Sequence, residues 1–191
     1  MKPRARTLGL ILAALALAAG AAFHFGWRST PAAAEAEIGP GADYGVLERQ
    51  LQRNPRDVRV RVLKARADSQ AGRHELAVAG YRRALDDSPK VARDPGVWVE
   101  LAEALALQQG GKLTGEPSGL LEKALAMNPD HTAALDLAGS AAWESGDFPA
   151  AARHWQRLAG LLKPDDPRQE ALAKALSEAQ RRSRFTLPPS R

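Results

Sequence analysis

Residues 58–91 read VRVRVLKARADSQAGRHELAVAGYRRALDDSPKV, and the fold turns on how this stretch is parsed. Gly72 interrupts an otherwise helix-forming run, and Pro89 stops the second of the two helices so divided. Between them Ala77, Tyr81 and Ala84 fall at i, i+4 and i+7, one face of a helix. The two alanines let a second helix approach closely, and the tyrosine fills the wedge beside them. The helix before Gly72 carries Arg61, Lys64 and Asp68 among its apolar residues. Val60, Leu63, Ala67 and Ala71 form one stripe, and Val58, Val62 and Ala65 another roughly opposite. Two stripes suit a helix that is packed on two sides.

The same cadence returns twice. Trp98, Leu101, Ala102 and Leu105 precede Leu121, Ala124 and Leu125 and a stop at Asn128-Pro129. Leu135, Ala138, Gly139 and Ala142 then lead through Ser145-Gly146-Asp147 to Phe148, Ala151, Trp155 and Leu158. Three such units in tandem resemble the tetratricopeptide repeat (TPR), a helix–turn–helix of about 34 residues. Tyr44 to Arg53, before Asn54-Pro55, reads as an entry helix. Asp166 to Arg184 reads as an amphipathic closing helix with Leu172, Leu176 and Ala179 on one side. A stack of repeats needs such polar-backed ends for solubility.

The expected fold is therefore all-α: a TPR superhelix of three repeats with flanking capping helices over 43–184, followed by a disordered tail at 185–191. Ahead of it, Lys2, Arg4 and Arg6 lie in a basic stub (1–7), and residues 8–27 carry no charge. As a helix that run spans roughly 30 Å, about a bilayer core. Phe23, Phe25 and Trp27 form an aromatic end, and the basic stub is expected to stay cytoplasmic. Residues 8–27 thus predict a single transmembrane anchor in the inner membrane, with everything beyond it in the periplasm. A cleavable signal is the rival reading, with Ala32-Ala33-Ala34 as the small-residue site. Residues 28–42, rich in Ala, Pro and Gly, read as a flexible linker.

Composition narrows function. There are 27 Lys+Arg against 22 Asp+Glu, a net +5 partly held in the two tails, and no nucleic-acid motif interleaves the basic residues. The chain has no cysteine, so thiol nucleophiles, thiolate metal sites and disulfide exchange are excluded. His24, His74, His131 and His154 stand apart, without metal-ligand spacing. Gly110-Gly111-Lys112 lacks the rest of a phosphate-loop pattern and reads as a turn. No catalytic constellation, metal or cofactor is expected.

The second repeat's turn, Gln108-Gln109-Gly110-Gly111-Lys112-Leu113-Thr114-Gly115-Glu116-Pro117, is about three residues longer than the family pattern. It is followed by Leu121-Glu122-Lys123-Ala124-Leu125-Ala126-Met127-Asn128-Pro129-Asp130 and by Gly146-Asp147-Phe148-Pro149-Ala150-Ala151. That combination resembles the periplasmic TPR domain of c-type cytochrome maturation factors, the CcmI and NrfG type. The resemblance implies an adaptor or chaperone, not an enzyme. Its partner would be the C-terminal helical segment of an apocytochrome c, presented for haem ligation, with haem-lyase subunits as further partners. The lack of cysteine agrees, since the client supplies the thiols. A general cell-envelope scaffold for a secretion, pilus or cell-wall complex is the alternative. In the family register the concave, peptide-binding side takes Arg59, Val62 and Arg66 from the first repeat, Val99, Glu103 and Ala106 from the second, and Asp136, Ser140 and Trp143 from the third. The arginines are expected to meet an acidic group of the client, and Trp143 to anchor an amphipathic peptide. Positions that would clamp a chaperone's terminal carboxylate carry Val62, Glu100 and Ala133 instead.

Overall fold

The computed structural model describes residues 43–186; the stub, anchor and linker expected over 1–42 lie outside them, as do residues 187–191 of the tail expected at 185–191, whose first two residues instead continue the closing helix to Thr186. Eight α-helices and no strand occur among the described residues. An entry helix, α1 (Tyr44–Arg53), precedes three pairs: α2 (Val58–Gln70) with α3 (His74–Asp87), α4 (Pro95–Gln108) with α5 (Glu116–Met127), and α6 (Thr132–Ser145) with α7 (Phe148–Leu161). A 3-10 turn at Val91–Arg93 joins the first pair to the second, and α8 (Gln169–Thr186) closes the row. Each helix packs chiefly on its neighbours in sequence, the arrangement expected of a repeat stack. None of the described helices is long and apolar enough to cross a membrane.

Local chemistry sets the helix ends. Asp57, Asp94 and Asp147 accept the backbone N–H groups of Val60, Gly96 and Ala150 at 3.1, 2.9 and 2.9 Å. These bonds satisfy donors that a helix start leaves open. His131 does the same for α6, its Nδ1 accepting from the N–H of Ala134 at 3.2 Å. Gly146 ends α6 in the left-handed region, at φ 82°, where its N–H bonds back to Trp143 and the chain reverses into α7. The closing helix begins three residues later than the sequence suggests. Asp166 accepts the N–H of Arg168 in a turn around Pro167, which delays the first helical residue to Gln169.

The buried side chains fall into three clusters, one for each pair of helices and its neighbour. Ala77, Tyr81 and Ala84 are 0, 2 and 0 % exposed, so the wedge read from sequence is the first core. Trp98 packs on both the first and the second cluster. The third gathers Leu135, Ala151, Trp155, Leu158 and, from α8, Leu172 and Ala179. Gly139 is the tightest crossing, since a Cβ there would lie 2.3 Å from Nε1 of Trp155. Gly80 is a second one, with Ala65 Cβ 2.9 Å from its own would-be Cβ.

The polar residues of α2 have a structural purpose that spacing alone conceals. Asp68 is 1 % exposed and is the buried charge among the described residues. Lys64 donates to it at 2.9 Å and to the Tyr44 hydroxyl at 2.6 Å, and Arg73 donates to its other oxygen at 2.7 Å. Both cations also lie over the Tyr44 ring, at 4.6 and 4.4 Å. Where a TPR normally seats large apolar residues, this chain docks its entry helix through an ion-paired network. Burial opposes ionisation of Asp68, but the hydrogen bonds from Lys64 and Arg73 outweigh it and hold the carboxyl below its usual range.

The lengthened turn between α4 and α5 is anchored at both levels. Leu113 is buried in the second core, and its N–H donates to a carboxylate oxygen of Glu144, on α6, at 2.9 Å. The loop therefore touches the third repeat as well as its own.

Candidate functional site

The first helices of the pairs, α2, α4 and α6, share one face that crosses all three repeats. Arg66 on α2 grips Glu100 on α4, its Nε bonding both carboxylate oxygens at 3.0 and 2.9 Å. Glu103 lies one turn further along α4. Asp136 on α6 is close enough for its charge to act on Glu103, and Ser140 follows one turn on, its hydroxyl donating to the Asp136 carbonyl at 3.1 Å. Arg59 stands exposed at the α2 end.

The electrostatics of this face are dominated by crowded carboxylates. Burial, reinforced by the charges of Glu100 and Asp136, pushes the Glu103 carboxyl up to about 8. Burial also raises Asp136, although Arg168 across from it pulls the other way. The Tyr81 hydroxyl beneath is raised well above its usual range, first by burial and then by the charge of Glu100. Glu103 is thus largely protonated at neutral pH, a carboxyl that can donate a hydrogen bond or surrender a proton to an arriving cation.

The residues expected on the binding face divide into two groups. Arg59, Arg66, Glu103, Asp136 and Ser140 retain access to solvent. Val62, Val99 and Ala106 do not: they are 7, 3 and 5 % exposed and belong to the first and second cores. The α2 and α4 helices are packed on that side as well, so a valine there is consumed by the stack. Arg66 meets its acidic partner within the chain, in Glu100. Trp143, expected on the unpacked side of α6, is half-buried against the third core. Its ring meets Phe148 edge-on at 5.1 Å and Trp155 at 6.0 Å, and the guanidinium of Arg182, from α8, covers it at 4.5 Å. The closing helix thus covers a ring that the sequence reading leaves open. Glu100, absent from the sequence-based set, is the residue that the structure adds. Its signal was its position three residues before Glu103 on one helical face. No group of three His, Cys, Asp or Glu side chains suited to a metal ion occurs among the described residues.

The geometry is that of a repeat stack with a polar first-helix face, and comparison with known families is specific. The model of the cytochrome c-type biogenesis protein H TPR domain matches residues 45–169, from the entry helix to the start of α8. This chain belongs to that family. Proteins named cytochrome c-type biogenesis protein CycH are similar to it. The one from Pseudomonas aeruginosa is 29 % identical over 136 residues, 71 % of this chain and 33 % of that protein. The one from Rhizobium meliloti is 34 % identical over 133 residues, 67 % of this chain and 34 % of that protein. The chain therefore spans about a third of the length of the curated relatives it matches. Among solved structures, MamA superposes with a TM-score of 0.58 at 12 % identity, covering 83 % of this chain and 98 % of that one. The first TPR of Spaghetti (RPAP3), bound to an HSP90 peptide, gives 0.51 at 19 % identity, covering 67 % and 94 %. At such identities these two establish the TPR-like fold and nothing more.

Proposed function

We propose that this member of the cytochrome c-type biogenesis protein H family is an envelope adaptor. It holds the C-terminal helical segment of an apocytochrome c and presents it for haem ligation, and haem-lyase subunits are its other partners. The observation that supports this reading most is the family match, which runs through all three repeats. The row of accessible polar side chains from Arg59 and Arg66 through Glu103 to Asp136 and Ser140 is the face on which the segment would lie. Trp143, with Arg182 over its ring, would border that face. The anchor at 8–27 would fix this domain to the inner membrane on its periplasmic side, where haem is attached. The adaptor needs no catalytic group of its own, because the client carries the thiols.

Calorimetric titration of the full chain with a peptide of about 20 residues from an apocytochrome C-terminus tests the reading. Saturable binding that an equally long internal segment does not reproduce is expected. If no cytochrome tail binds, a general envelope scaffold takes its place. Reporter fusions at Ala42 and Arg191 test the topology, and cytoplasmic activity at either point would overturn it.

A further inference from the structure

The side chains that α8 contributes to the third core end at Ala179. Leu172 and Ala179 are buried there, and Ala175 and Leu176 pack against the same cluster. From Gln180 to Arg184 the side chains are exposed or half-buried, and none belongs to a core cluster. This stretch instead meets an aromatic pair. The Arg182 guanidinium lies 4.5 Å from the Trp143 ring centre and 5.3 Å from that of Phe148. Those two rings meet edge-on across the turn between α6 and α7, and both residues are half-buried. Arg181 and Arg182 also donate to Glu178, each through its Nε at 2.8 Å. Glu178 is on α8 itself, so these bonds tie the end of the helix to its own preceding turn and not to α6 or α7.

Resting on the adaptor reading, we propose that the end of α8 beyond Ala179 is a displaceable cover: Arg182 occupies the Trp143–Phe148 face in the free protein, and a helical client moves it aside to seat an apolar side chain on those rings. The position suits a client. Asp136, Ser140 and Trp143 follow at i, i+4 and i+7 on α6, so a segment lying along the polar face arrives at the indole. The end of α8 is free to yield, because helix termini open locally at little cost and this one takes no core side chain with it. The magnitudes favour exchange. An arginine over an aromatic ring corresponds to a factor of about two at an exposed site and about thirty when desolvated. A large apolar anchor at the centre of an interface corresponds to about thirtyfold or more. A client with such an anchor therefore displaces Arg182, whereas a segment without one does not. Every client binds more weakly by the fraction of molecules in which the cover is open, so the cover rejects the weakest. It also keeps an indole and a phenyl ring from standing open on the unoccupied adaptor.

The test uses the full chain, its Arg182→Ala and Arg182→Lys variants, and Arg184→Ala, which removes an equal charge from the same stretch. Two peptides are titrated by calorimetry: an apocytochrome C-terminal tail and a designed amphipathic helix of unrelated sequence. Arg182→Ala is expected to bind the tail about two- to thirtyfold more tightly than the parent. Arg184→Ala should match the parent, and Arg182→Lys should restore most of the parent affinity. An arginine that merely stabilises the fold would not raise affinity when removed. The movement is read separately. The chain has no cysteine, so Arg184→Cys takes a single bimane label, a fluorophore that tryptophan quenches on contact. Saturating tail should brighten that label, and Trp143→Phe should leave it bright from the start. Equal affinity of the parent and Arg182→Ala, or a bound tail with the label still quenched, overturns the cover while leaving the cytochrome client in place. If the designed helix alone binds, and Arg182→Ala tightens it, the cover stands and the cytochrome client falls. Binding of neither peptide to any of the proteins overturns both.

Discussion

Gly139→Ala should destabilise the third repeat, although alanine is the better helix former. In an open helix interior the change gains about 1 kcal/mol. At Gly139 the new Cβ would lie 2.3, 2.5 and 2.8 Å from Nε1, Cδ1 and Cε2 of Trp155. The indole has little room to retreat, being 7 % exposed and closed in by Trp143, Leu158 and Leu172. Moving it also strains the bond from its Nε1 to the Asp136 carbonyl, 3.4 Å long at rest. Overpacking of this kind costs about 1–3 kcal/mol or more, and a weakened hydrogen bond adds up to about 1 kcal/mol. The net loss is then about 2 kcal/mol, which for a domain of this size lowers the melting temperature by about 4–8 °C. Two substitutions of the same kind serve as controls. Gly119 in α5 and Gly160 in α7 meet nothing within 4 Å, so alanine at either should raise the melting temperature by about 2 °C or more. Circular dichroism melts of the full chain and the three variants measure all of this together. Trp155→Leu, which removes the obstructing ring, should also make the second change at Gly139 nearly harmless. A Gly139→Ala protein that melts at or above the parent temperature would refute the close crossing of α6 and α7 and the repeat register with it.

Asp68→Asn strands Lys64 and loosens α1, and should cost about 1–3 kcal/mol in a urea titration, the larger values of a fully buried pair being tempered by partial exposure of both cations. The folded Asp68 carboxyl sits below its usual range, so its contribution is complete above about pH 4 and fades as the pH drops further. Glu103 acts in the opposite sense: its folded value of about 8 exceeds its ordinary one, so stability falls as the pH climbs from about 5 to 8 and then levels. Glu103→Gln should flatten that slope and be the more stable protein at pH 8.5 by about 2 kcal/mol, and parallel slopes in the two proteins would contradict it. Trp143→Ala should lose about 2–4 kcal/mol of stability, read by chemical denaturation, because the ring packs on Phe148 and Trp155 beneath Arg182.

The repeat architecture was legible because it rests on local periodicity. Ala77, Tyr81, Ala84, Leu135 and Ala151 announce their burial by spacing, and each is 2 % exposed or less. The chemistry of α2 was not legible, because the meaning of Lys64 and Asp68 depends on Tyr44, twenty residues before the lysine. A helical wheel of α2 shows charges on a packed side and offers no partner for them. Arg66 was misread for a related reason: its partner Glu100 lies a whole repeat away and falls beside it only when α2 and α4 pack together. Trp143 failed through the closing helix. From its own helix the indole looks unpacked, and only the approach of α8 brings Arg182 over it. The first-helix side expected to bind a client therefore exposes carboxylates and arginines, while the apolar residues expected there lie in the cores. Periodicity records which residues a helix buries, not which neighbour arrives to cover the rest.

The three additional residues between α4 and α5 change how the second repeat could be shortened. An insertion in a surface turn is usually slack that a chain can lose at little cost. Here trimming it would draw Leu113 out of the core and leave Glu144 without the N–H that it accepts. A regular-length turn would therefore not restore an ordinary repeat; it would unfasten the second from the third. Consensus redesign, which tends to delete such departures as noise, would remove a seam.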